Sequence, residues 1–173
     1  MAQTNFEALI RNVPDFPIPG VQFKDITTLL RDGAAFHAVI DRIVEHYRDQ
    51  RVDIVAGVES RGFIFSAPVA YQLGAGLVPV RKPGKLPAQT VEVAYTLEYG
   101  TNVLQLHADA FPAGARVLLV DDLLATGGTI GAAVELVRQL GGEIVGLAFM
   151  IELTFLNGRA QLGEYPILSL VQY

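Results

Sequence analysis

The run Val117-Leu118-Leu119-Val120 passes straight into two acids, Asp121 and Asp122, and then into Leu123-Leu124-Ala125-Thr126-Gly127-Gly128-Thr129. Four consecutive apolar residues leave no face for water, so this strand belongs inside a parallel sheet covered on both sides. The small residues after it suit a tight loop opening a helix from about Thr129 to Leu140, closed by Gly141-Gly142. The same scheme recurs along the chain. Val52 to Val58, Gly76 to Val80, Glu143 to Ile151 and Ile167 to Val171 read as further buried strands, and Phe63 to Leu73 suits a helix. Between Ala34 and Arg48, Phe36, Ile40, Ile43 and Tyr47 recur at helical spacing. Strands alternating with helices predict right-handed crossovers and an α/β fold with a mainly parallel central sheet flanked by helices.

Two regions depart from that scheme. Val91 to Leu97 and Thr101 to Leu106 alternate, which predicts an antiparallel pair turning at Tyr99-Gly100. At the start, Asn5 to Val13 suits a short helix, ended by Pro14-Asp15-Phe16-Pro17-Ile18-Pro19-Gly20. Three prolines in that stretch predict an irregular segment that neither continues a helix nor pairs inside a sheet. No repeat or polar linker divides the 173 residues, so one domain is expected.

Composition narrows the partners. Thirteen Lys and Arg against eighteen Asp and Glu give a net charge of −5, without the cationic surplus a nucleic-acid backbone needs. The mean hydropathy of +0.36 is high, but Val117 to Val120 and Ile144 to Ile151 are far shorter than the ~20 residues a bilayer requires. The surplus points to a buried sheet and a subunit interface. Cysteine is absent, which excludes disulfides, thiolate metal sites and cysteine nucleophiles. Met1 to Arg11 has no secretory pattern, so a cytoplasmic location is expected. His37, His46 and His107 lack the spacing of a helical metal site and read as surface or packing residues.

Ligands of open α/β sheets collect at the carboxyl ends of the strands. Three such ends carry unusual residues. Asp121 and Asp122 repel one another and want hydroxyls, cations or a metal as partners. The loop after them supplies amides, hydroxyls and a helix N-terminus, which suits a phosphate. Acids for sugar hydroxyls beside a phosphate cradle describe a ribose phosphate. Glu59-Ser60-Arg61-Gly62 suits a second anion, and Arg81-Lys82-Pro83-Gly84-Lys85 puts three cations on a loop able to close over a polyanion. A Walker loop is excluded, because no lysine follows Gly127-Gly128. Gly74-Ala75-Gly76 fails as a dinucleotide fingerprint, with Pro79 at its third glycine; it reads as a helix end leading into a strand.

Val117 to Thr129 resembles the phosphoribosyl-pyrophosphate signature of the type I phosphoribosyltransferases. Pro14 to Ile26, Glu59-Ser60-Arg61-Gly62-Phe63, Arg81 to Pro87 and Leu97-Glu98-Tyr99-Gly100 narrow the resemblance to the adenine phosphoribosyltransferase family. It runs from about residue 5 to the end and includes Glu152-Leu153 and Ser169 to Tyr173. It implies transfer of the 5-phosphoribosyl group from phosphoribosyl pyrophosphate to N9 of adenine, giving AMP and pyrophosphate with Mg2+, in a homodimer. It also implies one phosphoribosyltransferase domain over 1–173, with a base-binding hood over about 1–30 and a flexible-loop hairpin. On the family pattern Ala125, Thr126, Gly127, Gly128 and Thr129 hold the 5′-phosphate, and Asp121 and Asp122 engage the ribose hydroxyls. Ser60 and Arg61, with Arg81, Lys82 and Lys85, hold the pyrophosphate, Arg81 and Lys82 acting on the leaving group.

The resemblance further places the base against Phe23, with backbone groups near Gln22 and Lys24 bonded to it, and Glu98 facing the purine N7. No side chain is assigned directly to the metal. A non-proline cis peptide is expected at Glu59-Ser60-Arg61. Lys24 stands where many relatives have arginine, and Glu59 where aspartate is commoner. A transferase for 6-oxopurines, and a non-catalytic sensor of phosphoribosyl pyrophosphate, are the alternatives; turnover with each base separates them.

Overall fold

The computed structural model describes residues 5–97 and 100–173. The chain divides into two compact units, Met1–Arg42 and Ile43–Tyr173. In the first, a single 3-10 turn, Glu7–Leu9, is followed by strands β1 (Arg11–Pro14) and β2 (Gln22–Asp25). They pair antiparallel, Arg11 opposite Asp25 and Pro14 opposite Gln22. The helix expected over Asn5 to Val13 is therefore not formed. Side chains across the ribbon explain why: Arg11 Nε donates to Asp25 Oδ2 at 3.0 Å, and Asn12 Nδ2 to Gln22 Oε1 at 2.7 Å. Pro14, expected to stay unpaired, closes the strand at its last position, where a missing N–H costs a two-stranded ribbon little. The Phe16–Pro17 peptide is cis, and Gly20 takes φ +89° at the end of the loop. Asp25 also accepts the Thr27 N–H and hydroxyl; with Arg11 they hold its carboxyl down at about 2. Helix α1 (Thr27–Leu30) follows, then α2 (Gly33–Tyr47), whose residues from Ile43 on belong to the second unit.

The second unit holds β3 (Ile54–Val58), α3 (Gly62–Leu73), β4 (Gly76–Val80), β5 (Thr90–Leu97), β6 (Gly100–His107), β7 (Arg116–Leu124), α4 (Gly128–Gln139), β8 (Glu143–Glu152) and β9 (Ile167–Gln172). Five strands form a wholly parallel sheet in the order β4-β3-β7-β8-β9. Val117 to Val120 are buried at its centre, as four apolar residues in a row require. Strands β5 and β6 form the expected antiparallel hairpin, joined to the end of β4 where Arg81 and Gln105 exchange backbone hydrogen bonds. Gly74 ends α3 in the left-handed region and leads into β4, as its sequence predicts. After β3 the chain builds outward to β4; β7 then lies on the other side of β3. The carboxyl ends of β3 and β7 thus bound the point where successive connections diverge, the place where such sheets open a crevice.

Candidate active site

The residues following β3 and those around the end of β7 line one cleft of about 320 Å³: Glu59, Ser60 and Arg61 on one side, residues 121–130 on the other. Two motifs separated by some sixty residues of sequence are thereby brought together. Strand β7 runs three residues beyond the expected end at Asp121, because Asp121, Leu123 and Leu124 continue to pair with Phe149, Ile151 and Glu152 of β8. Both acids consequently sit in rigid strand, and both are buried.

Burial dominates their chemistry. The Asp121 carboxyl is pushed well above the usual carboxylate range by desolvation, and the neighbouring Asp122 charge raises it further. Asp122 is also raised by burial, but Arg61 opposes this: its Nε lies 2.8 Å from Asp122 Oδ2. Arg61 thus favours the pair's charge on Asp122, while Asp121 Oδ1 accepts the Asp122 N–H at 2.8 Å. Arg61 ends one side of the cleft and its Nε bonds across to the other. Gly62 opens α3 so close to β7 that a Cβ there would lie 2.8 Å from Asp121 Oδ1 and 3.0 Å from the Val120 carbonyl. Only glycine lets the Ser60-Arg61 turn approach the acids this closely. The Glu59–Ser60 peptide is cis, as the resemblance implies.

The phosphate-type segment, 125–129, turns at Gly127 with φ +90° and enters α4 at Gly128. The N-terminus of α4 lines the cleft there, an arrangement that suits an anion. Thr129 Oγ1 also lies 3.4 Å from the Tyr95 hydroxyl of β5, on the hairpin.

The cationic loop is tied back by a carboxylate. Arg81 Nε donates to Glu59 Oε2 at 3.0 Å and the Lys82 N–H to the same oxygen at 2.9 Å. The Arg81 guanidinium also lies 5.7 Å from the Phe63 ring centroid, within cation–π range. Burial pushes the Glu59 carboxyl up, but the Lys82 N–H and the Arg81 guanidinium outweigh it and hold it below its ordinary value. Glu59, read in the sequence only as a departure from aspartate, is thus the residue that ties Arg81 and Lys82 to the edge of the cleft. Phe23, Gln22 and Lys24 lie on β2 of the first unit, where Phe16 meets the Phe23 ring edge-on at 5.0 Å. Glu98 lies outside the described residues.

Sequence reasoning missed what supports the loop. A Cβ on Gly158 would lie 2.2 Å from the Ala125 carbonyl and 3.1 Å from the Gly127 nitrogen; one on Gly127 would lie 2.6 Å from the Gly158 carbonyl. The two backbones are in direct contact, and nothing local in the sequence around Gly158 signals it.

Comparison with known proteins agrees with this geometry. The phosphoribosyl transferase domain family matches residues 25–161. An adenine phosphoribosyltransferase of Chloroflexus aurantiacus is 64% identical over 173 residues, covering 100% of both chains. The crystal structure of the Thermoanaerobacter pseudethanolicus adenine phosphoribosyltransferase superposes with a TM-score of 0.94 at 51% identity, over 97% of this chain and 98% of that one. The Saccharomyces cerevisiae enzyme, solved with adenine and an imino-altritol bisphosphate, gives 0.90 at 38% identity, over 95% and 96%. The buried acid pair, the loop at the head of α4 and the cis turn after β3 are therefore those of a chain that belongs to the adenine phosphoribosyltransferase family.

Proposed function

We propose that the chain moves the 5-phosphoribosyl group of phosphoribosyl pyrophosphate to N9 of adenine, releasing pyrophosphate and forming AMP, with the roles divided as follows. Ala125 to Thr129 bind the 5′-phosphate through amides and hydroxyls at the head of α4. Asp121 and Asp122 accept the ribose hydroxyls. Ser60 and Arg61 hold the pyrophosphate, with Arg81, Lys82 and Lys85 closing on it once Glu59 releases the Arg81 guanidinium and the Lys82 N–H. The observation that carries this reading is the single cleft in which Ser60 and Arg61 face Asp121, Asp122 and the 125–129 loop.

As the C1–pyrophosphate bond breaks, positive charge grows on the ribose and negative charge on the leaving group. The buried acid pair, its charge favoured on Asp122, stabilises the first, and fixed cations the second, more strongly than water would. Phe23 supplies a face for the base, Gln22 and Lys24 its backbone bonds, and Glu98 the proton management at N7. No group of three His, Asp or Glu residues able to hold a metal occurs among the described residues. Asp121 and Asp122 fit a hard cation that keeps most of its oxygens from substrate and water. Magnesium, when bound, would neutralise the pyrophosphate. We further propose one domain over 1–173 with the base-binding segment at about 1–30, a cytoplasmic location, and a homodimer. No helix among the described residues is long and apolar enough to cross a membrane. Tyr71 and Leu77, 87% and 47% exposed, offer apolar surface for a second subunit.

Pyrophosphate release from phosphoribosyl pyrophosphate, measured with adenine, hypoxanthine, guanine and xanthine in turn, tests the reading. Adenine alone should support turnover. Turnover only with a 6-oxopurine would overturn the base assignment, and none with any base would overturn the activity.

A further inference from the structure

The loop that binds the 5′-phosphate in this reading is supported by an ion pair, Glu152–Arg159, that does not line the cleft. Glu152 ends β8 and is almost wholly buried. In the sheet register it lies opposite Leu124, the residue just before Ala125, and on its other side opposite Gln172 of β9. Arg159 grips it with both arms: Nε to Oε1 at 2.6 Å and Nη2 to Oε2 at 2.7 Å. Gln172 Nε2 donates to Oε2 at 3.2 Å, and Arg159 Nη2 also reaches Ser169 Oγ at 3.3 Å. The fork and these donors hold the Glu152 carboxyl below its ordinary value despite its burial. Arg159 directly follows Gly158, whose backbone touches Ala125 and Gly127. After Glu152 the chain turns through two short 3-10 segments, Thr154–Leu156 and Gly158–Gln161, with Asn157 between them at φ +52°.

The phosphate loop is thus flanked by both ends of the segment 152–159, and the Glu152–Arg159 fork closes that segment into a staple. We propose that Glu152 and Arg159 are positioning residues for the 5′-phosphate subsite: the pair fixes Gly158 against Ala125 and Gly127 and so sets the direction of the loop amides. A bidentate pair fixes angle as well as distance, which a single ammonium contact does not. Misplacing binding groups by ~1 Å can cost ~10²-fold in a reaction that depends on alignment. The inference rests on the assignment of the 5′-phosphate to residues 125–129.

Calorimetric titration with ribose 5-phosphate and, separately, with pyrophosphate tests it on Arg159→Lys, Glu152→Gln and Thr129→Val. Arg159→Lys keeps the charge at a partly exposed position and should fold even if Glu152→Gln does not. The expected result is a loss of about tenfold in ribose 5-phosphate affinity for Arg159→Lys, with pyrophosphate affinity within about twofold of the parent. In steady state the same variant should raise the KM for phosphoribosyl pyrophosphate while leaving kcat nearly unchanged. A folded Arg159→Lys protein that binds ribose 5-phosphate as the parent does, or that loses both ligands equally, overturns the proposal. Thr129→Val separates the two assignments. If it weakens ribose 5-phosphate and Arg159→Lys does not, the positioning role alone falls. If Thr129→Val also binds normally, the 5′-phosphate sits elsewhere and both assignments fall.

Discussion

Asp121 shows how a binding residue can work against the fold that holds it. Its carboxyl is buried beside a second acid, so its proton is held well above the usual range. The folded state then binds more protons than the unfolded chain in the window between the unfolded value of ~3.9 and the raised folded one. Stability from this group is fully present below that value and is lost as pH rises toward the folded pKa. Asp121→Asn removes the penalty while keeping the shape. It should raise Tm at pH 7 by roughly 2–4 °C, which is what ~1 kcal/mol gives in a chain of this size, and should change little at pH 4. The same change should weaken the use of phosphoribosyl pyrophosphate, as should Asp122→Asn. Thermal melts at both pH values, paired with kinetics, check this; a double variant of full activity would end the ribose assignment. Glu98 is tested in the same way, by kinetics alone. Glu98→Gln keeps size and hydrogen bonding but removes the charge, so kcat should fall by about 10²-fold, the lower range for aligned acid–base help, with phosphoribosyl pyrophosphate binding kept. Turnover within about twofold of the parent would move the proton elsewhere.

At the scale of elements, the site is a loop resting on a loop. Gly127 needs its left-handed φ of +90°, and Gly158 needs the absence of a Cβ. Gly158→Ala forces the Ala125 carbonyl or the Gly158 segment to move, so the KM for phosphoribosyl pyrophosphate should rise by about tenfold or more while the circular dichroism spectrum is kept. An unchanged KM would show that the loop tolerates a shifted support. This contact also marks where the sequence stops being readable. Apolar runs such as Val117 to Val120 announce buried parallel strands because nothing else satisfies both their faces, and the acids that follow announce a site for the same reason. Gly158 meets Ala125 through a backbone approach across thirty-odd residues, and no local periodicity records that. Arg11 to Val13 reads as helix because its partner, Phe23 to Asp25, lies beyond a proline-rich loop that hides the pairing. Arg81 was legible as a cation near the cleft, but not as one held by Glu59, since that depends on where β3 and β4 end side by side.

For the molecule as a whole, the order β4-β3-β7-β8-β9 separates the work of holding the sheet together from the work of binding. The cleft opens at one end of β3 and β7, while the second unit's stability comes from packing over the length of the strands. Tyr47 and Gly146 belong to that packing and line no part of the cleft. Tyr47 is fully buried, and its hydroxyl donates to the Leu147 carbonyl at 3.3 Å. Burial pushes the phenol's pKa upward, so it stays a neutral donor throughout the working range. A Cβ on Gly146 would lie 2.6 Å from both Cε1 and the hydroxyl oxygen of that ring, so the glycine is the space into which the tyrosine fits. Gly146→Ala should therefore destabilise by ~1–3 kcal/mol, the usual cost of overfilling a close-packed core. Tyr47→Phe should cost ~0.5–1.5 kcal/mol for the lost hydrogen bond. Combining Gly146→Ala with Tyr47→Leu, which withdraws the ring, should cost less than the sum of the two single changes, because the second removes the clash made by the first. Denaturant unfolding of the four proteins measures that coupling, and an additive result would mean that the ring and the glycine do not compete for the same space. In all of them the KM for phosphoribosyl pyrophosphate should stay within about twofold of the parent, since the groups proposed to bind it lie at the strand ends and none of these changes touches them.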